Sequence, residues 1–305
     1  MADINLPLPI ARTILNPIFR FTLNKRLPFR LQRRLLTMGG PAQLPPAGSI
    51  RRPVRLGGRP AERISFADTT DHGAILYLHG GGYAVGSIES HRSLTTRLAR
   101  DTGYPVYVLD YRLAPEHPFP AALDDAEAAF LELMTSTGYR PEQIAISGDS
   151  AGGGLSLALA QRLIARHGHT PAALGLIAPW VDPSRIPDRE RDLVISKPWS
   201  QACAVAYLGD ADPADSGYTP LHGDMRGLPP TYVQVDVSEL LYPQCIDLVA
   251  ALRSAEIPVS FTESKGLWHV AQLQASLTAP AAAVSRELAE FLREALQLTE
   301  LHELG

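Results

Sequence analysis

The chain has 305 residues, of which 45% are hydrophobic and 20% charged, and its formal net charge is −4. This balance excludes extensive disorder, and no stretch is apolar for long enough to span a bilayer. Two cysteines, Cys203 and Cys245, are too few for a disulfide framework, which favours a reducing compartment. The first residues also lack the basic and then apolar pattern of a secretory signal, so we expect a cytoplasmic location.

Charge is unevenly distributed along the chain. Residues 1–60 contain eleven Lys or Arg against one acid, whereas the remainder is acidic overall. Such a segment could be a transit peptide, a membrane-surface helix or a nucleic-acid arm. Apolar residues at roughly helical spacing, interrupted by prolines, favour instead short helices packed as a cap on the main domain. The acidic remainder argues against nucleic-acid binding, and no stable membrane insertion is expected.

From about residue 62, short apolar runs alternate with helical patterns. The predicted strands are Arg63–Ala67, Ala74–Leu78, Pro105–Asp110, Gln143–Ser147, Leu174–Ala178, Thr231–Val237 and Val259–Glu263. The predicted helices are Ala121–Met134, Leu155–Arg166, Gln244–Ser254 and Ala281–Leu296. This alternation predicts a mostly parallel sheet in an α/β fold. We therefore divide the chain into a cap segment, 1–60, and a main domain, 61–305, in which an insertion at about 183–228 completes the cap.

Residues Gly148–Gly152 form a G-x-S-x-G pattern between a predicted strand and a predicted helix. Strand, turn and helix are the setting of a nucleophile elbow. Glycines flank Ser150 because side chains in so sharp a turn would collide with neighbouring elements. Ser150 is therefore predicted to be a nucleophile at a helix N-terminus, where backbone N–H groups face developing negative charge. The alternative is a glycine-rich helix cap without chemistry.

Three consecutive glycines follow a predicted strand in the run His79–Tyr83. Glycines allow the backbone to approach a ligand and to present its N–H groups. The run lacks the Lys-Ser/Thr ending of a phosphate loop and the spacing of a dinucleotide site. Together with the N–H after the nucleophile, it predicts an oxyanion hole formed by Gly81, Gly82 and Ala151. His79 is expected to anchor this loop.

A serine nucleophile needs a base and an orienting carboxylate, which follow it along the chain in folds with such an elbow. His269 comes shortly after the predicted strand Val259–Glu263, where the base should lie. Glu239 comes just past the strand Thr231–Val237 and is the predicted acid. Asp236 is the alternative acid, although it falls within that strand.

Together these segments resemble the hormone-sensitive-lipase-like esterases of the α/β-hydrolase superfamily. The resemblance spans residues 74 to about 272 and includes His79–Tyr83, Asp110–Glu116, Gly148–Gly153, Leu228–Pro230, Glu239–Leu241 and Trp268–Val270. It implies an α/β-hydrolase fold with an eight-stranded sheet, a helical cap, and ester hydrolysis without a metal or other cofactor. The family places its acid four residues after the valine that ends the strand pattern, which from Val235 is Glu239. The glycine that usually follows this valine is replaced by Asp236.

We expect a carboxylesterase that acts through an acyl-enzyme on small-molecule esters of short to medium acyl chain. Lactone hydrolysis by the same triad and a non-catalytic receptor on the same fold are the alternatives. Tyr83, Trp180 and Trp268 are candidates for lining the substrate pocket. Arg112 and Glu116 are expected to pair beneath the active-site loop. The last predicted strand is a candidate for pairing in a homodimer.

Overall fold

A computed structural model describes residues 4–39, 45–189 and 192–304. Within these residues, eight strands form one sheet that helices cover on both faces. The strands are β1 (Ile50–Leu56), β2 (Arg59–Ser65), β3 (Ala74–Leu78), β4 (Val106–Leu109), β5 (Ile144–Asp149), β6 (Leu174–Ile177), β7 (Thr231–Asp236) and β8 (Val259–Ser264). The helices are α1 (Leu8–Thr22), α2 (Phe29–Gly39), α3 (Ile88–Thr102), α4 (Ala121–Thr137), α5 (Ala151–His167), α6 (Lys197–Leu208), α7 (Tyr242–Ser254) and α8 (Ala279–Leu304).

The strands follow the order β1-β2-β4-β3-β5-β6-β7-β8. β2 pairs antiparallel with β1 and β4, and the other neighbouring strands are parallel. Strands β3 to β7 are buried along their whole length, as a sheet covered on both faces requires, whereas β8 at the edge is only partly buried. The predicted eight-stranded, mostly parallel sheet of an α/β-hydrolase fold is confirmed. No helix in the described ranges is long and apolar enough to cross a bilayer.

Adjacent strands bring the two glycine motifs together. β3 and β5 are parallel neighbours, with Leu78 paired to Gly148. The glycine run after β3 and the serine after β5 therefore leave the sheet at the same carboxyl edge. The loops after β7 and β8 start from this edge too, because those strands run parallel to β5. Ligands bind at this edge in open α/β sheets.

Strand β1 lies inside the segment 1–60 that the sequence assigned to the cap. It forms a hairpin with β2 through Gly57 and Gly58, whose φ angles are 58° and 72°. A two-residue Gly-Gly connection is a hairpin signal, because the favoured turn needs positive φ at both central positions. Since β1 exposes most of its side chains, its hydrophobic pattern is weak. The helical part of the cap segment therefore ends before Ile50, and β1 extends the sheet.

Helix α3 has no counterpart among the predicted elements. It begins with a reciprocal capping box in which Ser87 and Ser90 each accept the backbone N–H of the other, at 3.3 and 2.9 Å. Its buried face includes Ser93, Thr95 and Thr96, so its apolar periodicity is weak. The cap serines were the signal that sequence reasoning missed.

A buried amide joins the N-terminal helices to the insertion. Gln32 of α2 donates from Nε2 to the carbonyls of Asn24 and Leu27, at 3.1 and 2.8 Å. Its Oε1 accepts the indole N–H of Trp199, on α6, at 2.8 Å. The side chain is fully buried, and each of its polar atoms has a partner. The connection after α1, helix α2 and helix α6 are thereby held together.

The expected pair between Arg112 and Glu116 is not formed. The carboxylate of Asp125, on α4, accepts the guanidinium of Arg112 at 2.7 Å and the backbone N–H of the same residue at 2.8 Å. Glu116 instead pairs with Arg33 of α2 at 2.7 Å, and this hydrogen bond lowers the pKa of Glu116 to about 2. The two charged residues therefore connect the sheet to different neighbours, Arg112 to α4 and Glu116 to the cap.

We expect Asp125→Asn to lower the free energy of unfolding by about 2 kcal/mol, because the buried carboxylate that pairs with the Arg112 guanidinium is replaced by a neutral amide. Urea denaturation measures the change. The matched control is Glu142→Gln, whose pair with Arg140 is about half exposed on both sides and should contribute less than about 1 kcal/mol. Equal effects of the two substitutions would contradict a structural role for Asp125.

Candidate active site

Ser150 lies between β5 and α5 in a strained backbone conformation. Its φ is 51° and its ψ is −119°, a combination that residues other than glycine rarely adopt. Its N–H donates to the carbonyl of Ile177 at 2.8 Å, which holds the turn against β6. A Cβ at Gly152 would overlap the carbonyl of Leu78, and one at Gly148 would overlap that of Gly152. Close approach of neighbouring backbone therefore requires both glycines of the motif.

The loop after β8 brings His269 to this serine. His269 Nε2 lies 2.8 Å from Ser150 Oγ, although 119 positions separate the two residues. The cap supports the loop, because Arg12 of α1 donates to the carbonyls of Gly266 and Leu267 at 3.0 and 3.4 Å. Both partners of the central contact are buried. The arrangement is a nucleophile and a base within hydrogen-bond reach.

Glu239 lies on the other side of the imidazole. Its Oε2 is 2.6 Å from His269 Nδ1. Its Oε1 accepts the backbone N–H of Asp236 at 2.7 Å, so both carboxylate oxygens are held. A carboxylate at Nδ1 favours the tautomer in which that nitrogen carries the proton, which leaves Nε2 free to accept the serine proton.

The alternative acid, Asp236, braces the surrounding loops and does not contact His269. Its Oδ1 accepts the N–H and the hydroxyl of Ser238, at 3.0 and 2.6 Å. Its Oδ2 accepts the hydroxyl of Ser264 at 3.1 Å and the N–H of Leu267 at 2.8 Å. Asp236 therefore ties the turn that carries the acid to the loop that carries the base.

The glycine run after β3 forms a loop with free N–H groups. Gly81 and Gly82 have φ angles of 122° and 61°. A Cβ at Gly81 would overlap the carbonyl of Val85, and one at Gly82 would lie 2.8 Å from Cys203 Sγ. Within the described residues, the N–H groups of Gly81, Gly82 and Ala151 donate to no protein acceptor. These donors remain available for an oxyanion.

Asp149, directly before the nucleophile, fixes this loop. Its Oδ1 accepts the N–H of Gly80 at 3.0 Å and the hydroxyl of Tyr77 at 2.8 Å, and its Oδ2 lies 3.2 Å from His91 Nε2. Burial alone would raise the pKa of Asp149, but His91 and the Tyr77 hydroxyl lower it below its ordinary value. Sequence reasoning missed this carboxylate because the G-x-S-x-G motif allows any residue at this position. An acid at the end of a buried strand was the available signal.

His79 lies behind the glycine loop, away from the reacting atoms. Its Nδ1 is 2.9 Å from the carbonyl of Gly80, and its ring stacks on Tyr111 with the centroids 4.4 Å apart. The Tyr111 hydroxyl donates to the His79 carbonyl at 2.6 Å. Burial, assisted by the neighbouring His91, lowers the pKa of His79 to about 4, so the ring is neutral near pH 7. The geometry is that of an anchor.

Another buried carboxylate, that of Asp192 in the cap insertion, lies next to the Glu239–His269 pair. Its Oδ1 accepts the N–H groups of Val194 and Ile195 at 2.8 and 3.0 Å. Its Oδ2 accepts the N–H of Leu240 at 2.8 Å and so holds the residue next to Glu239. Sequence reasoning missed Asp192 because nothing in its local pattern separates it from other acids of an irregular segment.

The negative charges around the imidazole set its basicity. Burial alone would lower the pKa of His269, but the hydrogen bond and charge of Glu239, with Asp192 and Asp149, raise it above its ordinary value. Burial raises the pKa of Glu239, and Asp192 adds to the increase while His269 opposes it. An imidazolium formed at this position is therefore stabilised by nearby charge.

Asp192, Glu239 and His269 are the one group in the described ranges whose ligand atoms lie close enough together for a metal ion. The atoms of Asp192, Glu239 and His269 lie within 4.8 Å of one another. They are already used, however: His269 Nδ1 contacts Glu239, and the Asp192 oxygens accept three backbone N–H groups. The donor set fits a hydrogen-bonded relay better than a metal centre.

A cavity of about 270 Å³ opens onto Ser150. Its lining combines α1, α2, the cap insertion and the residues after His269. Most of the lining side chains are apolar, including Leu15, Ile18, Leu35, Val194, Trp199 and Leu277. The cavity thus joins the nucleophile to an apolar chamber under the cap.

The aromatic residues expected in the pocket from sequence do not line this cavity. Tyr83 stacks on Tyr207 with the centroids 3.7 Å apart, and Trp180 packs beside Tyr83. Trp268 is buried and donates its indole N–H to Gln274 at 2.9 Å. The tryptophan that lines the cavity is instead Trp199. Size and aromatic character do not distinguish a core position from a pocket position.

Comparison with known proteins agrees with this architecture. A family model described as the alpha/beta hydrolase fold matches residues 75–273. An acetyl-hydrolase of Streptomyces hygroscopicus is 38% identical over 66% of this chain and 68% of its own. An esterase of Acinetobacter venetianus is 35% identical over 79% of this chain and 80% of its own. The crystal structure of an esterase from the bacterial hormone-sensitive lipase family is 32% identical, with a TM-score of 0.87 over 93% of this chain and 98% of that one.

A nucleophile elbow, a neighbouring glycine loop and a helical cap over the carboxyl edge of the sheet define an α/β hydrolase. Within that class, this chain belongs to the hormone-sensitive-lipase-like esterases. The family predicted from sequence is confirmed, and with it the enzyme class of carboxylic ester hydrolases.

We expect Glu239→Gln to lower kcat by about three to four orders of magnitude, because an amide neither fixes the same imidazole tautomer nor stabilises the imidazolium. The matched control is Asp236→Asn, which should cost stability but change kcat by less than about tenfold. Kinetics on a chromogenic ester, with urea denaturation of both variants, measures the two effects. If Asp236→Asn loses as much kcat in folded protein, Glu239 is not the sole orienting acid.

We expect Asp192→Asn to shift the acidic limb of the kcat/KM profile to lower pH. The base must be neutral to act, so activity rises with pH through the pKa of His269. Removing a nearby negative charge lowers this pKa, and activity then persists in more acidic buffer. The control is Asp188→Asn in the same insertion, because the Asp188 side chain is 89% exposed. An unchanged midpoint in Asp192→Asn would rule out an electrostatic effect on His269.

Proposed function

We propose that this enzyme hydrolyses carboxylic esters of short to medium acyl chain through an acyl-enzyme formed at Ser150. The observation that carries the proposal is the continuous relay from Glu239 through His269 to Ser150 beside an apolar cavity. A receptor would need no such alignment of nucleophile, base and acid. The names acetyl-hydrolase and esterase, carried by two relatives, support the same reaction class.

In the first half of the reaction, His269 Nε2 accepts the proton of Ser150 as Oγ attacks the ester carbonyl carbon. The carbonyl electrons move to oxygen, and the N–H groups of Gly81, Gly82 and Ala151 stabilise the oxyanion. Each such donor contributes about 3–4 kcal/mol in comparable sites. The imidazolium then protonates the alcohol oxygen, the bond from this oxygen to the acyl carbon breaks, and the acyl group remains on Ser150.

The second half repeats this chemistry with water. His269, neutral again, accepts a proton from a water molecule that attacks the acyl carbon. The same three N–H groups stabilise the second oxyanion, and the carboxylic acid leaves as Oγ regains its proton. Glu239 stabilises the imidazolium in both halves, because its carboxylate stays hydrogen-bonded to Nδ1 throughout.

The cavity supports a limit on substrate size. A dry cavity of about 150 Å³ accommodates benzene, and pockets for drug-sized ligands start at about 300 Å³. The volume of about 270 Å³ lies between these values. Its aliphatic lining suits the hydrocarbon part of an ester and offers few partners to a peptide. This combination favours short to medium acyl chains.

The direct test is the kcat/KM of p-nitrophenyl esters from acetate to palmitate, beside a panel of lactones. We expect a maximum among the short to medium esters, and no turnover by Ser150→Ala. Labelling of Ser150 by a fluorophosphonate separates an enzyme from a receptor, because a receptor serine would stay unlabelled in folded protein. Turnover of lactones alone would contradict the proposed substrate class while leaving the triad in place.

We expect Val194→Phe to reduce kcat/KM for octanoate esters by about tenfold or more while acetate is affected much less. The larger side chain fills part of the cavity, and displacing several methylenes from an apolar site costs at least 1–3 kcal/mol. Val205→Phe is the matched control, because Val205 is 69% exposed on α6. Equal losses for both esters in Val194→Phe would place the acyl chain elsewhere.

Two further proposals follow from the sequence. The low number of cysteines favours a cytoplasmic location. The strand β8 is the surface that we propose for pairing with a second copy, because it is the last strand of the sheet in the described residues. Analytical ultracentrifugation measures whether the protein forms such a dimer.

A further inference from the structure

The outer face of α1 is apolar although it is exposed. Ile10, Ile14, Ile18 and Phe21 recur every three or four residues and are 50%, 50%, 53% and 63% exposed. The adjoining side of the helix is apolar too, and it is buried, with Ala11 in the core. The apolar part of the helix surface is therefore wider than the part that the body covers, and its arginines lie on the remaining side. The body of the protein covers only one side of α1.

Helix α2 continues the same feature with added positive charge. Leu31, Arg34 and Met38 are spaced by three and four residues and so share one face, and the two apolar side chains are 42% and 76% exposed. Lys25 and Arg26 lie exposed in the connection between the helices. In the described ranges, Lys25, Arg26 and Arg34 form no ion pair with an acid. We call Ile10, Ile14, Ile18, Phe21, Leu31 and Met38, with these three cations, the cap face.

The cap face adjoins the catalytic cavity. Ile18 is half exposed and also lines the cavity, and Leu35 of α2 lines it from the second helix. An apolar molecule that leaves a surface in contact with Ile18 therefore enters the chamber beside Ser150 without crossing a polar surface. The remainder of the chain, from residue 61 onward, carries 17 basic and 31 acidic residues, so charge is separated between the cap and the body.

This separation of charge decides between the two partners that an apolar face could have. In a two-fold dimer built on the cap face, both copies would bring Lys25, Arg26 and Arg34 into one interface, because each subunit uses the same patch. An anionic lipid surface instead neutralises the cations and accepts the isoleucines at the depth of the acyl chains. The same surface repels the acidic body and so turns the cap toward the lipid.

We propose that the cap face docks reversibly on anionic lipid surfaces, with α1 lying in the interface and the mouth of the catalytic cavity toward the acyl chains. Docking itself is independent of the ester hydrolysis proposed above. Delivery of apolar esters from the lipid to Ser150 is the consequence that rests on that function.

Flotation with vesicles of phosphatidylcholine containing 30% phosphatidylglycerol tests docking without any substrate. The double variant Ile14→Gln, Phe21→Gln removes apolar contact, and the triple variant Lys25→Gln, Arg26→Gln, Arg34→Gln removes charge. Each cation near an anionic surface contributes about fivefold to binding, so the triple variant should lose about a hundredfold. The double variant should lose about tenfold or more. Binding should also weaken as salt rises.

The matched controls make the same kinds of substitution on other surfaces of the protein. Arg253→Gln, Lys265→Gln and Arg286→Gln together remove the same charge from exposed positions of the body, and Ile50→Gln removes an exposed isoleucine from β1. Thermal melting and hydrolysis of a soluble short ester verify that every variant is folded, since none of the altered residues lines the cavity.

Binding to the anionic vesicles that only the two cap variants lose supports the proposal. Equal binding of wild type to vesicles of phosphatidylcholine alone, no binding to either, or equal losses in the controls overturns it. A wild-type dimer in ultracentrifugation that the double variant dissociates also overturns it, because the cap face is then a subunit interface. If the wild-type protein binds the vesicles but hydrolyses no ester, the proposed function is rejected and the docking surface is retained.

Discussion

Hydrogen bonds from backbone N–H groups to buried carboxylates set the geometry of this site. Asp149 holds the glycine loop through the N–H of Gly80, and Asp236 holds the histidine loop through that of Leu267. Asp192 holds the turn of the catalytic acid through the N–H of Leu240. A carboxylate buried without such donors would be far too costly, so each of these acids tolerates only one arrangement of its loop. The reacting groups are precise because the loops that carry them are fixed by charge.

Glu239, Asp192 and Asp149 also surround the imidazole of His269 with negative charge. A base surrounded by negative charge becomes a better proton acceptor, and in the proposed reaction the imidazolium would have its counter-charges in place beforehand. The proposed oxyanion, by contrast, would have only neutral N–H donors around it. Negative charge lies on the imidazole side and hydrogen-bond donors lie on the glycine-loop side, so different groups would stabilise the two charges of the proposed transition state.

The residues in glycine-rich motifs could be identified from sequence because their chemistry demands a particular backbone. Gly152 has no alternative when the Leu78 carbonyl occupies the space of a Cβ, and such constraints leave a readable pattern. The parallel sheet was equally readable, since its central strands are apolar throughout. The order of the catalytic residues along the chain follows from the fold, which pointed to Glu239 and His269.

What could not be read depends on contacts between distant segments. Asp192 acquires its position only when the cap insertion meets the turn after β7, and no local pattern records that meeting. Trp199, and not Trp180 or Trp268, lines the cavity because Gln32 of α2 holds its indole there. Arg112 prefers Asp125 over Glu116 since α4 presents its carboxylate to both the side chain and the backbone of Arg112.

The polar contacts of α1 bear on how the enzyme loses activity on heating. Arg20 donates to the backbone carbonyl of Asp192 at 3.2 Å, and Arg12 donates to the loop of His269. Helix α1 takes part in no strand pairing, so its detachment would leave the hydrogen bonds of the sheet in place. Detachment releases the supports of both the base and its neighbouring charge at once. Heat inactivation would then precede melting, and cross-linking α1 to the loop after β8 would prolong working life without raising the melting temperature of the sheet.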